Sequence, residues 1–271
     1  MATTLASSTS SLAVSIHEHK NPLAANVQLK GHGSFGRLSA APAAVPPLTD
    51  GIRVVTAAEY KQAAACLAEA FAEDDVVWYP IKTPDRAHLS KEAQWALHVE
   101  ILEYVTYSHI LKGLVTTIGD FDAVALWMPP GQDMDDMVTK FRSGMWRLNY
   151  RLSPEGKRRY FTEFLPLLHD TKAATLGARD DESWYLVYIG TKPSAQGKGY
   201  CRKLIEHVTR QADGEGRATY LESSNDLNPR IYRRFGFETV RRVHLQRAER
   251  DVGLDIMVRE PEIGGEVWGE K

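Results

Sequence analysis

The stretch that most constrains this chain runs from Trp184 to Ala212. Trp184-Tyr185-Leu186-Val187-Tyr188-Ile189 is a compact aromatic and β-branched run, the composition of a buried strand. Thr191-Lys192-Pro193-Ser194-Ala195-Gln196-Gly197-Lys198-Gly199 follows, broken by one proline and two glycines. From Cys201 onward, Leu204, Ile205, Val208 and Ala212 recur on one helical face, with Arg202, Lys203, Glu206 and Arg210 on the other. Strand, tight loop and helix in that order present the first, internally unpaired amides of the helix to solvent, where the helix dipole favours an anion. Glycine there allows positive φ and close approach of a ligand to the backbone. The pattern is not a Walker-type phosphate loop, because Gly199 is followed by Tyr200 and Cys201 rather than by Lys and Ser or Thr. A Gly-Lys-Gly by itself also serves simply to turn a surface loop into a helix.

Downstream, Ala218-Thr219-Tyr220-Leu221-Glu222-Ser223 reads as the next strand, and Asn228-Pro229-Arg230-Ile231-Tyr232-Arg233-Arg234-Phe235-Gly236-Phe237 as a short helix ending in Gly-Phe. Together with the Gln196-Gly197-Lys198-Gly199 loop, these segments resemble the GNAT superfamily of N-acetyltransferases, whose acetyl-CoA signature is Arg or Gln, two residues, Gly, one residue, Gly or Ala. Gln196 and Gly199 match, while Cys201 stands at the last position. Within the superfamily, the Trp-Tyr-Leu strand, the Leu-Glu-Ser segment and the Asn four residues before Tyr232 are similar to the puromycin N-acetyltransferase branch. The resemblance is specific over residues 184–245 and looser upstream. It implies an α/β fold with a mixed, splayed, mostly antiparallel sheet flanked by helices, and an N-acetyltransferase using acetyl-CoA by direct transfer to an amine, without a metal.

The same resemblance implies roles for individual residues. The backbone of Ile189, Gly190 and Thr191 pairs with the pantetheine arm, and one amide of that strand polarises the thioester carbonyl. Gln196, Gly197, Lys198, Gly199, Tyr200 and Cys201 hold the pyrophosphate. Asn228 binds the arm or caps its helix, and Tyr232 lies near the cofactor sulfur as general acid, although a Tyr before Arg-Arg-Phe-Gly-Phe also suits core packing. Glu222 is the expected general base, because it alternates with Leu221 along a strand and a carboxylate is the poorer core partner. A neighbouring Arg is its other candidate partner.

The remainder of the chain bounds the alternatives. Its 271 residues carry 33 Lys or Arg against 35 Asp or Glu, which gives no global pull towards nucleic acid or membrane. Residues 192–250 are locally basic, with 13 Lys or Arg against 7 Asp or Glu, as a polyphosphate site or a solvated helix face would be. Two cysteines, Cys66 and Cys201, are too few for a disulfide framework and point to a reducing, cytoplasmic setting. Residues 1–50 are rich in Ala, Ser, Thr and Pro without apolar periodicity, and are expected to be an irregular tail. The first 19 residues lack Lys and Arg, which argues against a transit peptide, and no run of about 18 apolar residues occurs. Residues 51–271 are expected to form one domain, as a monomer or homodimer.

That domain begins with a strand at Ile52-Arg53-Val54-Val55 and a helix over residues 56–72 with a Thr56, Glu59 capping pair. The acidic, then aromatic Glu73-Asp74-Asp75-Val76-Val77-Trp78-Tyr79 follows, and in the family this loop borders the acceptor. Asp75, Trp78 and Tyr79 are therefore candidate acceptor-binding residues for a cationic amine, or else a hydrophobic staple under a charged turn. A second helix over residues 90–111 carries His98 and His109, too far apart to share a metal. A hairpin over residues 113–128 precedes about 50 helical residues, 132–181, inserted before the cofactor strand, in which Ser153-Pro154 reads as an N-cap and first helical position. Arg147, Arg151, Lys157, Arg158 and Arg159 cluster there. Three functions remain open at this level: small-molecule amine acetylation, protein-amine acetylation, and non-catalytic acyl-CoA sensing.

Overall fold

The computed structural model describes residues 51–262, so the tail expected over residues 1–50 lies outside them. Strand β1 (Ile52–Val54) leads through a 3₁₀ turn, Ala57–Glu59, into helix α1 (Tyr60–Ala70). The capping pair is formed as its spacing predicts: the Thr56 N–H donates to Glu59 Oε2 at 2.9 Å. One turn, α2 (Asp75–Trp78), precedes α3 (Lys91–Lys112), whose N-cap Ser90 accepts from the Ala93 N–H at 3.2 Å. The hairpin is β2 (Leu114–Ile118) and β3 (Ala123–Met128). Then come α4 (Met137–Ser143), α5 (Leu148–Arg151), α6 (Pro154–Lys157), a π-helical segment Arg158–Phe164, and α7 (Leu165–Leu176). The remaining elements are β4 (Trp184–Thr191), α8 (Tyr200–Gly214), β5 (Thr219–Ser223), α9 (Asn228–Tyr232), β6 (Glu238–Leu245) and β7 (Val252–Arg259).

The expected mixed, mostly antiparallel sheet is the one that forms. Its order is β1-β2-β3-β4-β5-β7-β6, and only β4 and β5 run parallel, joined by the α8 crossover. Strand β3 is buried along its whole length because both faces are covered. Val124 and Leu126 face α1 and α3 with Leu67, Leu102 and Val105, while Ala125 and Trp127 face the side where Leu204, Ile205 and Val208 of α8 are buried. Each such α8 side chain stabilises the fold by about 1.5–3 kcal/mol. Gly190 of β4 packs directly against α1: a Cβ there would lie 2.6 Å from Ala70 Cβ and 3.1 Å from Leu67 Cδ2. Among the described residues, no helix is long and apolar enough to cross a membrane.

The Arg and Lys cluster expected in the insertion is dispersed by folding. Arg151 pairs with Glu100 at 2.7 Å, and Arg159 turns inward and is buried. Its guanidinium donates to the carbonyls of Tyr79 (3.0 Å), Lys82 (3.2 Å) and Arg247 (2.7 Å), tying the insertion to the segment after α2 and to the β6–β7 turn. Arg159→Met leaves three carbonyls short of a donor. We expect a loss of roughly 2–4 kcal/mol, a drop in Tm of about 5 °C or more. A thermal midpoint within 1–2 °C of wild type, on the same scale, shows that this tie is not supporting the fold.

Candidate active site

Strands β4 and β5 pair over three residues only, Trp184 with Thr219, Tyr185 with Tyr220 and Leu186 with Leu221, and then diverge. At the divergence β4 carries a bulge against β3: Leu126 lies opposite Tyr188 and Trp127 opposite Leu186, leaving Val187 as the extra residue. Beyond Leu186, the edge of β4 that faces β5 has no strand partner, so the backbone of Ile189 to Thr191 offers groups on that side to an extended ligand, as β-augmentation requires. This is where the pantetheine contact was expected. Gly190 combines that position with the close packing of α1 already described.

The loop after β4 passes through a 3₁₀ turn, Pro193–Ala195, to Gly199, the N-cap of the 15-residue α8. Gly197 and Gly199 have φ of +80° and +74°, and a Cβ on either would meet nothing within 4 Å. The glycines are therefore needed for backbone conformation, and the space in front of them is open. Gln196 and Lys198 are exposed at the same edge, while Tyr200 and Cys201 lean against the core beneath α8. Burial raises the Cys201 thiol to about 11, so it stays neutral. An open groove, free helix amides and a nearby Lys are a fit for a pyrophosphate.

Glu222 is the first residue of β5 beyond the last β4–β5 pair, and so lies at the apex of the divergence. Its Oε2 accepts from the Tyr185 hydroxyl at 2.7 Å, and its Oε1 is enclosed without a partner. Burial pushes this carboxyl up to about 7, against the opposing effect of the Tyr185 hydrogen bond and the charge of Lys172. Lys172 is itself engaged by Asp180, donating to its carbonyl at 2.7 Å and to its carboxylate. Tyr232 is buried beside Phe237, ring centroids 6.0 Å apart, and among the described residues its hydroxyl has no hydrogen-bond partner. Burial, then the proximity of Cys201 and Asp74, raises its phenol well above 10. Glu222, Asn228, Tyr232 and Ile189 all line one cleft of about 1090 Å³, so the two expected catalytic groups open onto the same space.

The three residues expected at the acceptor end are not in that cleft. Trp78 is buried, its Nε1 donating to the Ala72 carbonyl at 2.7 Å and its ring stacked on His98 at 4.7 Å. Tyr79 is buried under Arg159, donates to Glu163 and accepts from the Arg247 N–H at 3.0 Å. Asp75 is exposed. The single turn of α2 rolls these side chains away and turns Asp74, Val76 and Val77 to the cleft instead. Asp74 is the N-cap: its Oδ1 accepts from the N–H groups of Val76 (2.9 Å) and Val77 (3.3 Å), and Oδ2 accepts from the Ser224 hydroxyl. Tyr185, Asp74 and Ser224 were not singled out by sequence. Nothing local in Glu73-Asp74-Asp75 distinguishes the inward carboxylate from the outward one.

Comparison with known proteins bears on this arrangement. Residues 168–239 match the model of the acetyltransferase (GNAT) domain. An uncharacterized N-acetyltransferase of Schizosaccharomyces pombe is 49% identical over 208 residues, 77% of this chain and 82% of that protein. Among solved structures, a Corynebacterium glutamicum protein described as histone acetyltransferase HPA2 and related acetyltransferase is 20% identical, with a TM-score of 0.47 over 79% of this chain and 97% of that one. A polyamine N-acetyltransferase of Drosophila melanogaster, which forms N-acetylagmatine, is 14% identical with a TM-score of 0.49 over 77% and 98%.

Proposed function

The chain belongs to the GNAT superfamily of N-acetyltransferases, and on that premise we propose that it moves the acetyl group of acetyl-CoA to a primary amine of a small molecule, by direct transfer with both held at once. The observation that carries this reading is the position of Glu222, half-buried with its carboxyl raised to about 7 by desolvation, at the apex where β4 and β5 part and lining one cleft with Tyr232. Acetyl-CoA supplies an activated acyl thioester when bound. The backbone of Ile189 to Thr191 holds its arm, Asn228 adds a polar contact, and Gln196 to Cys201 hold the pyrophosphate.

Glu222 takes the proton that an alkylammonium, with pKa about 10, must lose before attack. Ionised above about pH 7, its carboxylate is poised for this near neutrality. A free amide of β4 beyond the Val187 bulge points its dipole at the developing negative charge on the carbonyl oxygen. Tyr232, protonated at neutral pH, gives its phenolic proton to the departing thiolate as general acid and recovers one from solvent. The Leu-Glu-Ser strand, Asn228 and Tyr232 support a puromycin N-acetyltransferase-like arrangement of this half, and two free thiols support a cytoplasmic setting. We read residues 51–271 as one catalytic domain, preceded by a tail.

The cofactor half is tested by thermal denaturation. Acetyl-CoA at about 100 times its Kd is expected to stabilise the wild type by about 2.7 kcal/mol, while ATP and NAD leave Tm unchanged. Gly199→Val places a β-branched residue at a φ of +74° in the open groove, and is expected to abolish the shift. Equal shifts in variant and wild type contradict the assignment of the loop.

A further inference from the structure

Resting on the amine-acetyltransferase reading above, we propose that the acceptor is a primary amine carried on an apolar body, with its ammonium bound by Asp74 beside Glu222 and its body laid against Phe161 and Phe164 of the helical insertion. The first observation is a charge imbalance inside the cleft. Asp74 and Glu222 both line it, and among the described residues neither is paired with a Lys or Arg. The cations nearest the cleft are already committed, Lys172 to Asp180 and Lys140 to Asp135 at 3.0 Å. Two cleft carboxyls without an ion-pair partner favour a cationic ligand, whose charge holds both in the ionised form.

Asp74 is also tied to the segment that carries Glu222. Ser224, which donates to Asp74 Oδ2, lies two residues beyond Glu222, just past the end of β5. With Oδ1 occupied by the amides of Val76 and Val77, Asp74 cannot swing away from the cleft. The proposal seats the ammonium on Asp74, with Glu222 of the same cleft as its proton acceptor.

The second observation is an aromatic wall of the same cleft. The π-helical segment Arg158–Phe164 turns Tyr160, Phe161 and Phe164 to the same cleft, with Met145 and Leu168 alongside. Tyr160 fixes the other two, edge-on to Phe161 at 5.0 Å and stacked on Phe164 at 6.0 Å. Spacings of one and four place residues 160, 161 and 164 on one side of this helical segment, and all three line the cleft. Phe161, Phe164, Met145 and Leu168 offer an amino sugar or amino acid no side-chain hydrogen-bond partner. The carboxylates at the rim, Asp133, Asp170 and Asp181, are solvent-exposed, and exposed charges hold a second ammonium only weakly. The wall therefore favours an apolar monoamine over a polyamine.

The test uses the full chain with saturating acetyl-CoA, following free-thiol release for 2-phenylethylamine, octylamine, ethylamine, spermidine, glucosamine and glycine. We expect kcat/KM for 2-phenylethylamine and octylamine to exceed that for the other four by about tenfold or more, since each buried methylene is worth roughly a factor of four. Asp74→Asn keeps an N-cap side chain and removes only the charge. It is expected to raise KM for 2-phenylethylamine tenfold or more, with acetyl-CoA KM and Tm unchanged. Phe161→Ala is expected to lower kcat/KM for 2-phenylethylamine while leaving ethylamine untouched, a split that general loss of structure does not produce. Preference for spermidine or glucosamine, or an Asp74→Asn variant within twofold of wild type in amine KM, overturns the proposal. Calorimetric titration with 2-phenylethylamine separates the two readings. Binding that depends on Asp74 without any turnover overturns acetyl transfer and leaves this site standing, whereas turnover of other amines with no such binding overturns the site alone.

Discussion

Glu222→Gln is expected to lower kcat by about 10² to 10⁴-fold, the span of a general base, and to stabilise the protein above neutral pH at the same time. The wild-type carboxyl is raised by burial from 4.5 to about 7, so kcat should rise with pH through an apparent pKa near 7, and the variant should lose that inflection. The stability effect has the opposite sense. Because the folded state holds this proton more tightly than the unfolded chain, the associated stabilisation is complete below about pH 4.5 and is lost as pH rises through about 7. Glutamine cannot ionise and keeps an oxygen for the Tyr185 hydroxyl. The variant is therefore expected to be about 1–3 kcal/mol more stable than wild type at pH 8, with the difference closing at pH 5. Thermal melts at the two pH values and a pH profile of kcat check both halves. A variant that is inactive but equally destabilised at both pH values shows instead that Glu222 is a structural carboxylate.

Tyr232→Phe carries the second large effect. Phenylalanine keeps the ring against Phe237 and removes a hydroxyl that has no partner among the described residues, so the fold should be indifferent to the change. A phenol raised well above 10 is a reluctant acid, and a thiolate leaves tolerably without help. The expected loss is therefore near the lower end of general acid catalysis, about 10²-fold in kcat, with acetyl-CoA affinity within about twofold. A fall in kcat and kcat/KM together identifies an interaction made in the transition state. Near wild-type turnover makes Tyr232 a core residue and nothing more.

The parts of this arrangement that were legible in sequence are those fixed by short-range pattern. The β4 run, the Gly197 and Gly199 loop and the apolar stripe of α8 are local, and each formed within a residue or two of its expected place. Ser153 and Pro154 likewise begin α6 because capping is decided within one turn. What escaped depends on register and on single-turn geometry. Trp78 and Tyr79 are adjacent to an acidic run, yet one turn of helix sends both into the core and leaves Asp74 facing the cleft. The Tyr185 bond to Glu222 follows from a parallel register set by the α8 crossover, over a sequence separation of 37. The π-helical segment has no local signature, since Arg158 to Phe164 satisfies an ordinary helical pattern equally well. The residues missed are those whose neighbours arrive from distant parts of the chain.

The most direct measurement of the central claim is to incubate the protein with acetyl-CoA deuterated in the acetyl group and a panel of primary amines, and to weigh the amines by mass spectrometry. The account predicts at least one amine carrying the labelled acetyl group, with one free thiol released per acetyl transferred, and loss of that product in Glu222→Gln. No labelled amine, while acetyl-CoA still raises Tm and Gly199→Val still abolishes the shift, would contradict it.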